Sequence, residues 1–211
     1  MTNHCKEKGV ALVELVLVSA ICLIITGTAV PNFLSTLRHY RSAGDAQDIN
    51  GEIVVAKMRA ASDFTQARAR FNIAANNGYT ANTFQIEIWD KTNNRWAIDA
   101  PNGTTSLSQG ITLMSNFGTL SSPPAGTQAT IGQAPACKTG PSGASPGADI
   151  ADTACIVFNS RGIPIDSTAA PTVNDAVYIT DGASVYVSTL LATGQIETWR
   201  SDAASANWQK R

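Results

Sequence analysis

The sequence predicts an α+β protein, in which one long N-terminal helix precedes an antiparallel β-rich domain. Three observations support this: an apolar run over residues 10–30, apolar residues at helical spacing as far as about residue 61, and alternation with period two after residue 62. The 211 residues carry a formal net charge of −1. The whole chain therefore lacks the strong basic field typical of proteins that bind nucleic acid without sequence preference.

The apolar run contains one charged side chain, Glu14. A helix over residues 10–30 would span about 31 Å, close to the hydrocarbon thickness of a bilayer, so the run predicts a transmembrane helix. A carboxylate in such a segment needs a partner. One interpretation pairs Glu14 with the amine of Val10, freed by cleavage after Gly9 and four residues away on the same helical face. The other is a protonated glutamate tolerated near the membrane interface.

Pro31 follows the run and predicts a kink, because proline removes a helical hydrogen bond and clashes with the preceding turn. Beyond it, residues 31–61 predict an amphipathic continuation of the helix. One face is expected to pack on a globular domain or on neighbouring chains. Its members are Leu37, Tyr40, Gly44, Ile49, Ile53, Ala56 and Ala60.

Residues 62–211 predict the β-rich domain. Ala67, Ala69, Phe71 and Ile73 alternate with polar residues, as do Phe84, Ile86 and Ile88. Asn77-Gly78 is a hairpin signal between these runs, and residues 92–94 predict the next turn. Further strands are expected near residues 111–116, 155–158, 177–180, 184–190 and 195–199, and Asp181-Gly182 predicts a turn that joins two of them. Residues 119–148 contain ten Pro or Gly and predict a long loop.

The N-terminus begins with a short leader, residues 1–9, which carries Lys6 and Lys8 and ends in Gly9. Glu14 lies five residues beyond Gly9 and is followed by the rest of the apolar run and Pro31. Together these features resemble a type IV prepilin. The sequence departs from the family at Val10, where Phe or Met is most common. The resemblance implies cleavage between Gly9 and Val10 by a prepilin peptidase and methylation of the Val10 amine. It also implies that Glu14 contacts the N-terminal amine of a neighbouring subunit in a filament.

The same resemblance implies partners and a location. The partners would be other pilins or pseudopilins, the peptidase, the assembly platform of the bacterial inner membrane, and the lipid bilayer. The chain would cross that membrane once, with its globular domain in the periplasm, before entering a pilus or pseudopilus. A protein that is anchored by one helix and forms no filament is the competing interpretation.

Further motifs lie in the β-rich part of the chain: Phe71, Trp96 and residues 79–89, 107–111, 156–162 and 194–196. They narrow the resemblance to the GspH/FimT class, which comprises pseudopilin H of type II secretion and related minor pilins of type IV pili. The class implies a structural subunit, and it leaves open whether the filament serves protein secretion or forms a pilus.

Two of the four cysteines, Cys137 and Cys155, fall in the domain; Cys5 is in the leader and Cys22 in the apolar helix. The periplasm permits disulfides, so a Cys137–Cys155 bridge is expected, with two free thiols as the alternative. A bridge closing a loop of this length contributes about 3 kcal/mol in the chain-entropy estimate.

No enzyme, cofactor or metal site is predicted. The histidines, His4 and His39, do not suit a serine triad, and no phosphate-binding glycine loop occurs. Asp149 and Asp152 could join a calcium site, although spaced aspartates in a polar loop are usually solvated.

The cations near the C-terminus suggest an alternative function. Arg200, Lys210 and Arg211 lie near Trp199 and Trp208, and aromatic residues interleaved with cations can bind DNA. Some FimT-like minor pilins act in DNA uptake, so a DNA-binding subunit at a pilus tip is the second hypothesis. The small number of cations disfavours it. The competing interpretation is one core tryptophan followed by a frayed tail.

Cleavage after Gly9 is the first testable prediction. Protein extracted from membranes should lack nine residues and carry one added methyl group, because the leader and Glu14 resemble a prepilin processing site. Intact-mass measurement checks this. A mature chain that still starts at Met1 would contradict the prepilin interpretation.

Overall fold

The structure is a computed structural model, which describes residues 12–76, 78–115, 131–172, 175–191, 193–203, 205 and 207–211. Helix α1 spans Leu12–Ser62 and is followed by β-strands, which confirms the predicted α+β class. Contacts divide the chain into two compact units, Met1–Arg38 and His39–Arg211.

Helix α1 ends where Phe64 takes a left-handed φ of 49°, and Thr65 N donates to Ala60 O at 3.3 Å. This is the arrangement of a helix C-cap, with phenylalanine at the position where glycine is usual.

The strands are short and come in chain order. They are β1 Ala67–Asn72, β2 Thr83–Asp90, β3 Arg95–Ile98, β4 Thr104–Ser106, β5 Thr112–Met114, β6 Gly132–Gln133, β7 Cys137–Lys138, β8 Asp149–Ile150, β9 Thr153–Phe158, β10 Pro164–Ile165, β11 Asp175–Thr180, β12 Ser184–Leu190, β13 Ile196–Asp202 and β14 Gln209–Lys210.

The first sheet has the order β10-β9-β1-β2-β3, and β4 also pairs with β2. Its central strand β1 pairs antiparallel with β2 on one side and β9 on the other. Ala69 lies opposite Ile86 in β2 and Ile156 in β9. The hairpin signal between β1 and β2 is confirmed by the backbone hydrogen bonds that Asn76 and Tyr79 exchange, at 2.9 and 3.2 Å.

The second sheet has the order β14-β13-β12-β11-β5, with β6 parallel to β11. Strands β11 and β12 meet at the predicted Asp181-Gly182 turn, where Asp181 Oδ1 accepts from the amides of Ala183 and Ser184. Predicted and observed strands agree within a few residues in this part of the chain, and the 184–190 prediction coincides with β12.

A hydrophobic core joins the helix to both sheets. The helix contributes Ile49, Ile53, Ala56 and Ala60, each at most 1% exposed. The main strand residues of this core are Phe71, Phe84, Ile86, Ile156, Phe158, Val177 and Ile179. A second core includes Ile131, Tyr178, Val185, Val187 and Trp199, with Trp208 packed against it.

At the start of the second unit, the predicted apolar face of the helix is not the face that packs on the domain. Tyr40 is 74% exposed and Gly44 is exposed, whereas Ser42 and Asp45 are buried. The polar pair can be buried because it has partners. Asp45 accepts from the amide and hydroxyl of Ser108 at 3.0 and 2.8 Å, and Ser42 Oγ donates to Asp181 Oδ2 at 3.3 Å.

The predicted long loop contains regular structure in its described part. Residues 119–130 lie outside the described residues. After them, β6 adds to the second sheet, and β7 and β8 form a small hairpin in which Cys137 faces Ile150. Five prolines over residues 119–148 do not prevent this, because each strand is only two residues long.

The division into two units generates a prediction. A fragment lacking residues 1–37 should be soluble and monomeric at micromolar concentration, because it retains both cores and loses the exposed apolar segment. Light scattering and circular dichroism test this. Filaments formed by the fragment would show that assembly does not require the N-terminal helix.

Candidate functional site

The first unit presents an apolar helix surface around one carboxylate. Glu14 is exposed and lies in the first described turn of α1 beside Leu15, Val18 and Ser19. The large apolar side chains of this segment are exposed as well, among them Leu12, Leu23 and Ile24 at 79%, 74% and 69%. An apolar surface of this extent gains about 25 cal/mol for each Å² that a partner or lipid covers.

The other predicted N-terminal residues are only partly described. Gly9 and Val10 lie outside the described residues, so the cleavage and methylation site stays a prediction. Pro31 lies within the residues assigned to α1, and the kink stays a prediction too. In the part of the chain that the structure describes, no helix has the length and apolar character required to cross a membrane.

The predicted disulfide is confirmed. Cys137 in β7 and Cys155 in β9 are bonded, with their Cα atoms 4.9 Å apart and both residues buried. Two hydrogen bonds flank the bridge: Cys137 N donates to the Thr153 hydroxyl, Oγ1, at 3.0 Å, and Cys155 N donates to Pro135 O at 2.8 Å. The bridge therefore fixes the β7–β8 hairpin to the first sheet.

The hairpin and the residues within it lie over the polar face of that sheet. Arg68 Nη1 donates to Lys138 O at 2.6 Å, and Trp96 Nε1 donates to Gly140 O at 3.1 Å. Gln66 and Ser142 exchange two hydrogen bonds, at 2.8 and 2.9 Å. These contacts use backbone groups of the Pro/Gly-rich segment and hold its described part against the first sheet.

Beneath the hairpin is a buried charge network that sequence analysis missed. Arg68, Arg70 and Glu87 are each at most 3% exposed. Arg68 Nε donates to Glu87 Oε2 at 2.6 Å, and Arg70 Nη1 donates to Glu87 Oε1 at 3.3 Å. Burial lowers the pKa of the Arg68 guanidinium, and the Glu87 carboxylate opposes that shift.

A signal for this network is present in the sequence. In register, Arg68 lies opposite Glu87 and Arg70 opposite Gln85, so the polar positions of β1 and β2 are complementary. Alternation by itself predicts a solvated polar face, because it does not show that residues far along the chain cover that face.

The three C-terminal cations do not form one surface. Lys210 Nζ bonds to Glu197 Oε1 at 2.7 Å, whereas Arg200 and Arg211 line a cleft together. Trp199 is 7% exposed, which confirms it as a core tryptophan. The expectation of a frayed tail is wrong for residues 207–211, because β14 pairs with β13 and Arg211 N donates to Thr198 O at 2.9 Å.

The two aspartates considered for calcium have other roles. Asp149 Oδ1 accepts from Lys138 Nζ at 2.7 Å, and Asp152 occupies a turn with a φ of 55°. Among the described residues, no group of three or more His, Cys, Asp or Glu side chains is placed to hold a metal ion.

Comparison with known proteins gives one structural similarity. No family model matches the sequence, and no curated protein matches it. The chain is similar to the minor pseudopilin EpsH from the type 2 secretion system of Vibrio cholerae, at 11% identity and a TM-score of 0.34. The match covers 81% of this chain and 96% of that one. A likeness of this degree transfers neither function nor site residues.

The disulfide and its hairpin yield a stability prediction. Replacing both Cys137 and Cys155 with serine should lower the free energy of unfolding by about 2–4 kcal/mol, because the unfolded chain regains the freedom that the bridge removes. Denaturant titration of the full chain in detergent measures this change. Hydrogen exchange should increase first at the β7–β8 hairpin.

Cys22→Ser is the matched control, since Cys22 is an exposed free cysteine in the first unit and its loss should leave the unfolding energy unchanged. Equal stability of the double variant and the unaltered protein would show that noncovalent contacts alone hold the hairpin.

Proposed function

We propose that this protein is a minor pilin or pseudopilin, a structural subunit that enters a filament through its N-terminal helix. The observation that carries the proposal is Glu14, the only charged residue in residues 10–30, placed five residues after Gly9. In this proposal the chain is first inserted in the bacterial inner membrane with its β domain in the periplasm. The proposal covers both kinds of filament, the type II secretion pseudopilus and the type IV pilus.

Glu14 would act through its charge. An ionised carboxylate is costly in an apolar medium, and a cation close by offsets that cost. Residues 10–37 contain no Lys or Arg, so an α-amine on Val10 is the nearest cation that cleavage could create. Pairing that amine with Glu14 of an adjacent subunit would link processing to assembly, since uncleaved chains would lack the partner.

The exposed apolar side chains of α1 support the same proposal. Leu15, Val16, Leu17 and Val18 are all more than half exposed, and consecutive positions of this kind point to every side of a helix. Such a helix requires apolar surroundings on all sides. Lipid provides them before assembly, and packed helices of other subunits provide them afterwards.

DNA capture at a pilus tip is the less supported alternative. Its three candidate cations are divided between two places, and Lys210 is already paired with Glu197. A nucleic-acid site draws most of its affinity from several phosphate contacts, which this arrangement does not offer.

The test of the proposal is Glu14→Gln, which removes the charge and retains the shape. Incorporation into filaments should fall sharply, while membrane abundance and the domain fold persist, because a lost ion pair matters most in a low dielectric. The measurement is co-purification with the other filament subunits at matched membrane abundance.

Glu52→Gln is the control, since it makes the same chemical change on the same helix outside the apolar run. Burial, with help from Asp99 and Asp48, raises the pKa of Glu52 to about 7, so a neutral side chain is already accommodated there. Undiminished incorporation of the Glu14 variant would show that apolar packing alone drives assembly.

A further inference from the structure

A cleft in the second unit has the chemistry of an anion site. Its volume is about 580 Å³, and it lies where the helical residues His39 and Tyr40 meet Tyr186 of β12 and Arg200 of β13. Arg211 completes the cationic side. The lining contains two guanidinium groups and no carboxylate among the described residues.

The groups closest to the Arg200 guanidinium are mainly neutral. Its Nη2 lies 2.5 Å from His39 Nε2 and 3.2 Å from Ser184 Oγ. The nearest carboxylate oxygen, in Asp202, is 3.7 Å away on a side chain that is 74% exposed. The Nε atom of Arg200 is buried and has no hydrogen-bond partner among the described residues. A half-buried guanidinium with these neighbours retains most of its attraction for an anion.

The contacts of His39 hold Arg200 in place without neutralising it. A guanidinium can only donate, so His39 Nε2 must accept, and the ring proton is then on Nδ1. That nitrogen lies 3.3 Å from the Tyr186 hydroxyl, which accepts from it. The Arg200 guanidinium is also 5.9 Å from the centre of the Tyr186 ring. A fixed guanidinium loses little further freedom when it binds a ligand.

We propose that this cleft binds a carboxylate side chain on an acidic peptide segment of a partner protein. Arg200 and Arg211 would hold the carboxylate, since a guanidinium matches its two oxygens. The Tyr40 ring, 74% exposed, and Ala43 form an apolar wall for the rest of the segment. The volume lies within the range of ligand pockets, about 300–1,000 Å³. All of the lining residues belong to the second unit, so the site is built without the helix segment on which the proposed function rests.

A peptide carboxylate suits the cleft better than a nucleic acid. Nucleic-acid binding needs a row of cations along the phosphates, and the cation nearest in sequence, Lys210, is paired with Glu197 at 2.7 Å. Asp202 and Asp181 also lie near the site: Asp202 is close to Arg200, and Asp181 bonds to Ser42. They would repel a long polyanion more than one carboxylate.

Fluorescence anisotropy of the full chain in detergent tests the proposal. The probe is a labelled, capped peptide Gly-Glu-Tyr-Glu-Gly, and its twin carries Gln in place of both Glu. The acidic peptide should bind and the twin should not. Arg200→Gln should weaken binding about tenfold or more, and Arg211→Gln should weaken it by a smaller factor, because each removes a charge-assisted hydrogen bond.

Lys210→Gln is the matched control, since it removes a nearby cation outside the cleft and should leave binding unchanged. Arg200→Lys keeps the charge without the fork and should give an intermediate affinity. Circular dichroism checks that each variant is folded; if Arg200→Gln is not, Arg211→Gln decides, because Arg211 is exposed.

Three results would overturn the proposal. The first is equal binding of the acidic peptide and its twin. The second is a Lys210→Gln loss as large as that of the arginine variants, which would indicate diffuse attraction. The third is binding of a single-stranded DNA oligomer, but not the peptide, with the same dependence on Arg200 and Arg211. The Arg211→Gln variant should still assemble into filaments. Loss of peptide binding and loss of assembly can therefore be told apart, and the two proposals can fail separately.

Discussion

The register of β1 between β2 and β9 is the constraint on which the first sheet depends, and with it the β7–β8 hairpin that lies over the polar face of the sheet. Ala67, Ala69 and Phe71 face the core, so Arg68 and Arg70 must occupy the opposite face. The same register places Arg68 opposite Glu87 and Arg70 opposite Cys155. A shift by one residue would bury the guanidiniums in the apolar core and separate them from the carboxylate, so the sheet has no acceptable alternative pairing.

This register also determines where the disulfide lies. Because Cys155 is the cross-strand neighbour of Arg70, its bridge to Cys137 brings the β7–β8 hairpin over the charged face. A buried ion pair is a weak source of stability unless its remaining hydrogen-bonding groups are satisfied. Lys138 O accepts from Arg68, while Gln85 Nε2 donates to Glu87 at 2.7 Å and so supports the carboxylate. The arginine faces contribute as well, since Arg68 lies 4.1 Å from the Trp96 ring centre and Arg70 lies 3.8 Å from that of Tyr79.

The sequence was informative where local signals decide the structure. Period-two alternation located β1 and β2, Asp181-Gly182 located a hairpin, and two cysteines in one domain identified the bridge. It failed where distant residues decide. Ser42 and Asp45 are buried because Asp181 and Ser108 meet them from far along the chain. In the described part of the Pro/Gly-rich segment, residues 131–148, the disulfide and Gln66 hold the chain against the first sheet. The cleft of Arg200 and Arg211 could be predicted only in part. The sequence indicated the two cations, but only the fold places His39 and Tyr186 beside them.

The two units differ in the surroundings that they require. The second unit buries apolar side chains in two cores of its own and is cross-linked by a disulfide. Most of its buried polar groups have hydrogen-bond partners. In the first unit, the described large apolar side chains of residues 12–33 are exposed. A single helix cannot bury all its sides by itself, so the free energy of that surface is recovered only through lipid or through other chains. The second unit therefore contains the apolar contacts of its own fold, whereas the apolar residues of the first unit are left without such contacts. In the proposed role, this difference would let the domain keep its own contacts while the surroundings of the helix change from lipid to other subunits.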